Sequence, residues 1–269
     1  MRSLLFVPAD SPGKLGKALG CGADTIILDL EDSIAPEHKE AARAGAAGFL
    51  AQTLSAMERP RLIVRVNGLA TGLIDADLDA IVPARPDAIM LPKAEGGTSV
   101  VHVDAKLTAR EALHGVAEGS IRIVAIATET APALFLVGTY RGASQRLVAL
   151  TWGAEDLSAE LGAEANRDAQ GHFLDPYRLA RTLCIAAAAA AEVQALDTVY
   201  VDFRTKQACA ANARRRAATA SPARWRSTRG KSQPSTRCSP PRPQQSPRRR
   251  RSLRHSRHVQ AQASSVLKA

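Results

Sequence analysis

Seven short apolar runs recur along the first 204 residues, and their spacing leaves few folds open. They are Ser3 to Ala9 (SLLFVPA), Thr25 to Leu30 (TIILDL), Leu62 to Val66 (LIVRV), Ala88 to Leu91 (AIML), two within Ile121 to Leu157, and Thr198 to Phe203 (TVYVDF). Their starts fall about 20 to 50 residues apart, the spacing of βαβ units. Each run is continuous rather than alternating, which means burial on both faces and hence a parallel sheet covered by helices. Helical patterns fill the gaps: Lys39 to Met57, Val103 to Val116, Pro132 to Ser144, and Pro176 to Val193 behind an Asp175 N-cap. A first helix, opened by Asp10-Ser11-Pro12, bears Lys14 and Lys17. Seven βα units predict a TIM (β/α)8-type barrel without its eighth strand. A doubly wound sheet is the alternative, but no G-x-G-x-x-G follows any run.

In a barrel of this type the chemistry sits where strands run into loops. Those ends carry Asp29, Glu31 and Asp32, then Arg65 and Asn67, then Lys93, Glu129, and finally Glu155 and Asp156. Glu129 and Asp156 close two consecutive strands, and adjacent parallel strands lie about 4.8 Å apart, so the two acids can meet at one rim. Such a pair suits Mg²⁺, which takes one or two carboxylates and completes its octahedron with water and substrate oxygens. The plainer alternative is a helix-capping Glu129 and a solvated Asp156. Arg65 can clamp a carboxylate or thioester oxygen through its planar fork, or form a rim ion pair with Asp29 or Asp32. Lys93 can be a Schiff-base lysine or one partner of a structural ion pair. The six histidines form no catalytic pair.

Composition enters because the chain is two unlike regions. Residues 205–269 hold 17 of the 36 Lys and Arg residues and none of the 26 acids, which splits the net charge of +10 into −7 before and +17 after. Their only branched aliphatics are Leu253, Val259, Val266 and Leu267. A segment so poor in apolar residues is expected to be a disordered basic tail, leaving residues 1–204 as the barrel domain. Cys21, Cys184, Cys209 and Cys238 show neither metal-ligand spacing nor a disulfide framework, which points to the cytoplasm. No apolar run approaches the roughly 20 residues of a membrane span, so no membrane partner is expected.

Six stretches, RSLLFVPADSPGKLGKAL, DTIILDLEDSIAPEHKEAAR, RVNG, IMLPKAE, ATETA and TWGAEDLSAELG, resemble the CitE (citrate lyase beta subunit-like) branch of the HpcH/HpaI aldolase and citrate lyase superfamily. The resemblance covers residues 1–204. It implies a Mg²⁺-dependent carbon-carbon lyase acting on acyl-CoA thioesters of the citryl, malyl or citramalyl type. It further implies that Glu129 and Asp156 hold the metal, that Arg65 binds acyl or carboxylate oxygens, that Asp29 and Asp32 shape the substrate pocket, and that Lys14 and Lys17 meet the CoA phosphates. A homo-oligomer, trimer or hexamer, is implied as well. A hydroxy-oxo acid aldolase acting without CoA is the alternative within the superfamily.

The family pattern continues past Arg204 with an eighth unit, and residues 205–269 do not carry it. Back-translated with permitted codons and read two nucleotides on, however, this region can encode a peptide containing DGFTGKMAIHPGQV, which resembles that missing unit. The C-terminus is therefore read as frame-shifted, and the chain is expected to be impaired or inactive as a catalyst. A basic arm binding nucleic acid through phosphates is the reading from another class. It leaves the charged strand ends without a role.

Overall fold

The computed structural model describes residues 3–56, 58–200 and 223–226. The remaining tail residues, with Cys209, Cys238 and the disorder and frame expectations attached to them, lie outside the described residues.

Strands alternate with helices, two helices lying between the sixth and seventh strands. In chain order they are β1 (Ser3–Pro8), α1 (Pro12–Leu19), β2 (Thr25–Asp29), α2 (Lys39–Thr53), β3 (Arg61–Arg65), α3 (Ile74–Ile81), β4 (Ala88–Leu91), α4 (Gly97–Leu113), β5 (Arg122–Ile126), α5 (Ala131–Leu136), β6 (Leu147–Thr151), α6 (Glu155–Glu160), α7 (Asp175–Ala190), β7 (Gln194–Tyr200) and β8 (Ala223–Arg226). All pairings are parallel and follow chain order around a TIM-type barrel.

The sequence leaves the eighth position without an apolar run, and only a four-residue segment pairs there. Ala223–Arg226 lies between β7 and β1, with Leu4 opposite Trp225 and Tyr200 opposite Arg226. Strand pairing is a property of the backbone, so ARWR can occupy that position without the alternating apolar run that a sequence reading looks for. This short strand is the one piece of residues 205–269 that is described.

The alternation of side chains along each strand explains why the runs are continuously apolar. Leu4, Ile27, Ile63, Met90, Val124, Ala149 and Leu196 fill the barrel interior. Their neighbours Ile26, Leu28, Leu62, Val64, Ile89, Leu91, Ile123, Ala125 and Leu150 face the surrounding helices. Following the inward positions toward the strand ends, Leu4 leads to Phe6, Ile27 to Asp29, Ile63 to Arg65 and Ala149 to Thr151. The interior thus turns from aliphatic to polar at one end of the barrel.

Several boundaries depart from expectation. Helix α3 is not among the expected helices, although Ile74, Leu78 and Ile81 are buried at helical spacing. Helix α4 starts at Gly97, well before Val103, because Gly96 turns with φ 77° and Gly97 packs so close that a Cβ would lie 2.2 Å from the Thr139 carbonyl oxygen. The Pro132 to Ser144 pattern divides into α5 and a 3-10 turn at Val137–Tyr140. The N-cap of α7 is Leu174, and Asp175 lies inside its first turn.

Candidate active site

Strand register places the first pair of site residues. Asp29 and Arg65 end neighbouring strands as direct cross-strand partners, both pointing inward. Arg65 Nε donates to Asp29 Oδ1 and Nη2 to Asp29 Oδ2, each at 2.7 Å. This bidentate pair lies beneath the surface, Asp29 being 2% exposed. The Arg65 guanidinium also lies 5.0 Å over the Phe6 ring, and its Nη1 is 2.9 Å from Glu31 Oε2. Burial alone would raise the Asp29 carboxyl, but the Arg65 charge and hydrogen bonds outweigh it and hold Asp29 below the usual carboxylate range. Burial works against the Arg65 charge as well, and the Asp29, Glu31 and Asp32 carboxylates overturn it, so Arg65 stays charged.

Lys93 organises the neighbouring strand end. It follows β4 and has φ 50°, a left-handed backbone uncommon outside glycine. That turn aims its backbone N–H at Glu129 Oε2, 2.6 Å away. Its ammonium meanwhile donates to Glu31 and sits 3.5 Å from both Asp32 Oδ1 and Asp156 Oδ1. Burial disfavours this ammonium, yet Glu31, Asp156 and Asp32 together raise its pKa. The amine is therefore held protonated in an ion-pair hub, which is the opposite of what a Schiff-base nucleophile needs.

Glu129 stands three residues beyond the end of β5, and Asp156 in the first turn of α6, rather than on the strands themselves. Glu129 is 3% exposed and lies against the backbone that leads from β6 to α6. A Cβ at Gly153 would be 2.5 Å from Glu129 Cγ, so only glycine lets the carboxylate approach the Asp156 loop this closely. Burial first, and the neighbouring Asp156 charge second, push the Glu129 carboxyl well above its usual range.

Arg65, Asp29, Asp32, Glu129 and Asp156 all line one cavity of about 370 Å³ at the polar end of the barrel. Five of the sequence-derived candidates, Lys14, Lys17, Glu31, Asn67 and Lys93, are not among the residues that line it. Lys14 and Lys17 are exposed on α1 and are not among the cavity-lining residues. Asn67 is 2% exposed and absorbed in a brace: it donates to Asp77 Oδ2 at 2.7 Å and accepts from Lys39 Nζ at 2.8 Å. Sequence reasoning in turn misses Phe6, Ser33, Thr151 and Trp152 as cavity walls. Trp152 Nε1 is fixed by the buried Asp197 at 2.8 Å, a contact between β6 and β7 that no local pattern reveals.

The donor set fits Mg²⁺. Among the described residues no group of three or more His, Cys, Asp or Glu side chains forms a metal cage, and Mg²⁺ does not require one, since one or two carboxylates suffice. Glu129, raised by its own burial and by Asp156, is the kind of carboxylate that a divalent cation would relieve.

The family model for HpcH/HpaI aldolase/citrate lyase matches residues 2–223. A citrate lyase subunit beta-like protein of Mycobacterium tuberculosis is 35% identical over 201 residues, which cover 74% of this chain and 64% of that protein. The chain thus spans a little under two thirds of that relative. The L-malyl-CoA/beta-methylmalyl-CoA lyase of Cereibacter sphaeroides is 32% identical, covering 83% of this chain and 74% of its own. A crystal structure of protein CitE from Mycobacterium tuberculosis, in complex with magnesium, acetoacetate and coenzyme A, superposes with a TM-score of 0.69 at 31% identity, covering 84% of this chain and 75% of that one. Fold and sequence agree that the chain belongs to the HpcH/HpaI aldolase/citrate lyase family.

Proposed function

We propose that the barrel is built for Mg²⁺-dependent carbon-carbon cleavage of a 3-hydroxyacyl-CoA thioester of the citryl, malyl or citramalyl type. The observation that carries this reading is the buried Glu129 carboxylate, wedged against Gly153 in the same cavity as Asp156 and Arg65. Glu129 and Asp156 are the residues that would hold the cation. Bound there, Mg²⁺ supplies a Lewis acid for charge developing on substrate oxygens.

The chain's own residues account for the rest of the site. Once the 3-hydroxyl has given its proton to a base, cleavage of the bond between the α and β carbons turns that oxygen into the carbonyl of one product and leaves the bonding pair on a thioester enolate, whose negative charge needs a fixed positive neighbour. Arg65 spends two of its N–H groups on Asp29 and turns toward Glu31, so its position is set before substrate arrives. Asp29 and Asp32 form the wall beside it. Phe6 and Trp152 supply apolar surface that excludes water. Lys14 and Lys17 remain candidates for the CoA phosphates, and a trimer or hexamer is the assembly the family resemblance favours; light scattering reads the latter directly.

The test is Mn²⁺ or Mg²⁺ titration by calorimetry, together with thioester cleavage, for E129Q and D156N. Each variant should bind the cation at least about tenfold more weakly, as expected when one hard ligand of a two-carboxylate site is lost. Wild-type cation affinity in both variants would sink the metal site. A panel of citryl-, malyl- and citramalyl-CoA against hydroxy-oxo acids separates the lyase from the aldolase reading.

A further inference from the structure

We propose that Thr151 contacts the substrate and selects for an oxygen-bearing head group, a hydroxy or oxo acid, at the floor of the cavity. The proposal rests on the lyase reading above and deepens it. Thr151 ends β6 two residues after Ala149, which fills the barrel interior, so the period of the strand sends Thr151 inward as well. It pairs in register with Ile126, and both line the cavity. Thr151 is 1% exposed, and among the described residues its Oγ1 has no hydrogen-bond partner.

A buried hydroxyl without a partner costs free energy, and a valine of nearly the same shape would fill the space without that cost. The hydroxyl is therefore explained by what enters the cavity rather than by the packing of the barrel. A ligand that seats an oxygen on the floor of the cavity against Thr151 supplies the partner that the hydroxyl lacks. A ligand with a methylene at that point leaves Thr151 unpaired, and this asymmetry is how a polar site rejects an analogue that lacks the group. Other hydroxyls do not meet the same conditions. Among the described residues the hydroxyls of Thr25, Thr128 and Tyr177 also lack a partner but do not line the cavity, and Ser33, which does, is only half-buried.

The experiment uses the full chain and the variants T151V and T151S. It measures calorimetric binding of acetoacetate, and of butyrate as the analogue lacking the oxo group, both with Mg²⁺ present, and thermal melting without ligand. T151V should bind acetoacetate about tenfold more weakly, the loss of one hydrogen bond, with butyrate unchanged. T151S should restore wild-type binding, and T151V should melt at the wild-type temperature or above it. Acetoacetate binding by T151V at wild-type strength overturns this proposal alone. A lowered melting temperature for T151V also overturns it, since the hydroxyl would then be holding the barrel together. If the wild-type chain binds acetoacetate no better than butyrate, the lyase reading falls and this proposal with it.

Discussion

Arg65 is the residue on which most of the site's charge balance depends. Removing it leaves Asp29 and Glu31 buried without their main counter-charge, so R65A should destabilise the chain by about 3–5 kcal/mol, the usual cost of stripping one partner from a buried pair. Denaturant unfolding measures this, and R65K should recover only part of the loss, because an ammonium cannot reproduce the bidentate fork. Glu129 predicts the reverse. Its folded pKa lies above the unfolded value, so below that unfolded value its contribution is fully present, and stability declines as pH rises toward the raised folded pKa. Without divalent cation, E129Q should therefore melt higher than the wild type, and the gap should widen from about pH 5 to pH 8. A gap that narrows over that range would count against the buried, charge-crowded environment. How much of this was legible differs by residue. Asp29, Arg65, Glu129 and Asp156 stand out in the sequence because charges end apolar runs. The left-handed turn at Lys93 and the orphaned hydroxyl of Thr151 do not, since both depend on packing between strands rather than on local pattern.

Among the elements, the joint between β6 and α6 is the least tolerant of change. A methyl group at Gly153 must displace Glu129, so G153A should lower divalent-cation affinity nearly as far as E129Q while leaving the barrel folded, which calorimetry and circular dichroism together resolve. Helix α4 is fixed by a buried network in which Arg146 Nη2 reaches Glu111 at 2.6 Å and Arg146 Nη1 reaches it at 2.8 Å. R146M should cost about 3–5 kcal/mol by leaving Glu111 uncompensated, with little effect on cation binding. The seven strands were readable because burial on both faces imposes continuous apolar runs. Strand β7 shows the limit: it begins at Gln194, four residues before the apolar run, and carries the buried Asp197. A reading that looks for a continuous apolar run starts the strand only after this aspartate. The fold accepts it because Trp152 and Arg181 satisfy the carboxylate.

For the whole molecule, we propose that the working barrel domain is residues 1–204 and that residues 205–269 are the shifted reading of its eighth unit. A gene in which codons from 205 onward are read two nucleotides on should give a chain with a higher melting temperature. Its thioester cleavage should also be faster than that of the 269-residue product. Equal activity of the two products, together with an undisturbed nucleotide sequence near codon 205, would sink this idea. One feature of the cavity bears on how any such chain is made. Its walls include both Phe6 and Val199, near opposite ends of the barrel's strands in sequence. At the usual pace of synthesis, about 5–20 residues per second, the ribosome needs on the order of 10–40 s to supply the second wall after the first. Throughout that interval Arg65, Glu129 and Asp156 emerge in turn with no enclosure around them, so the nascent chain can neither concentrate a ligand nor be steadied by one until its last wall arrives.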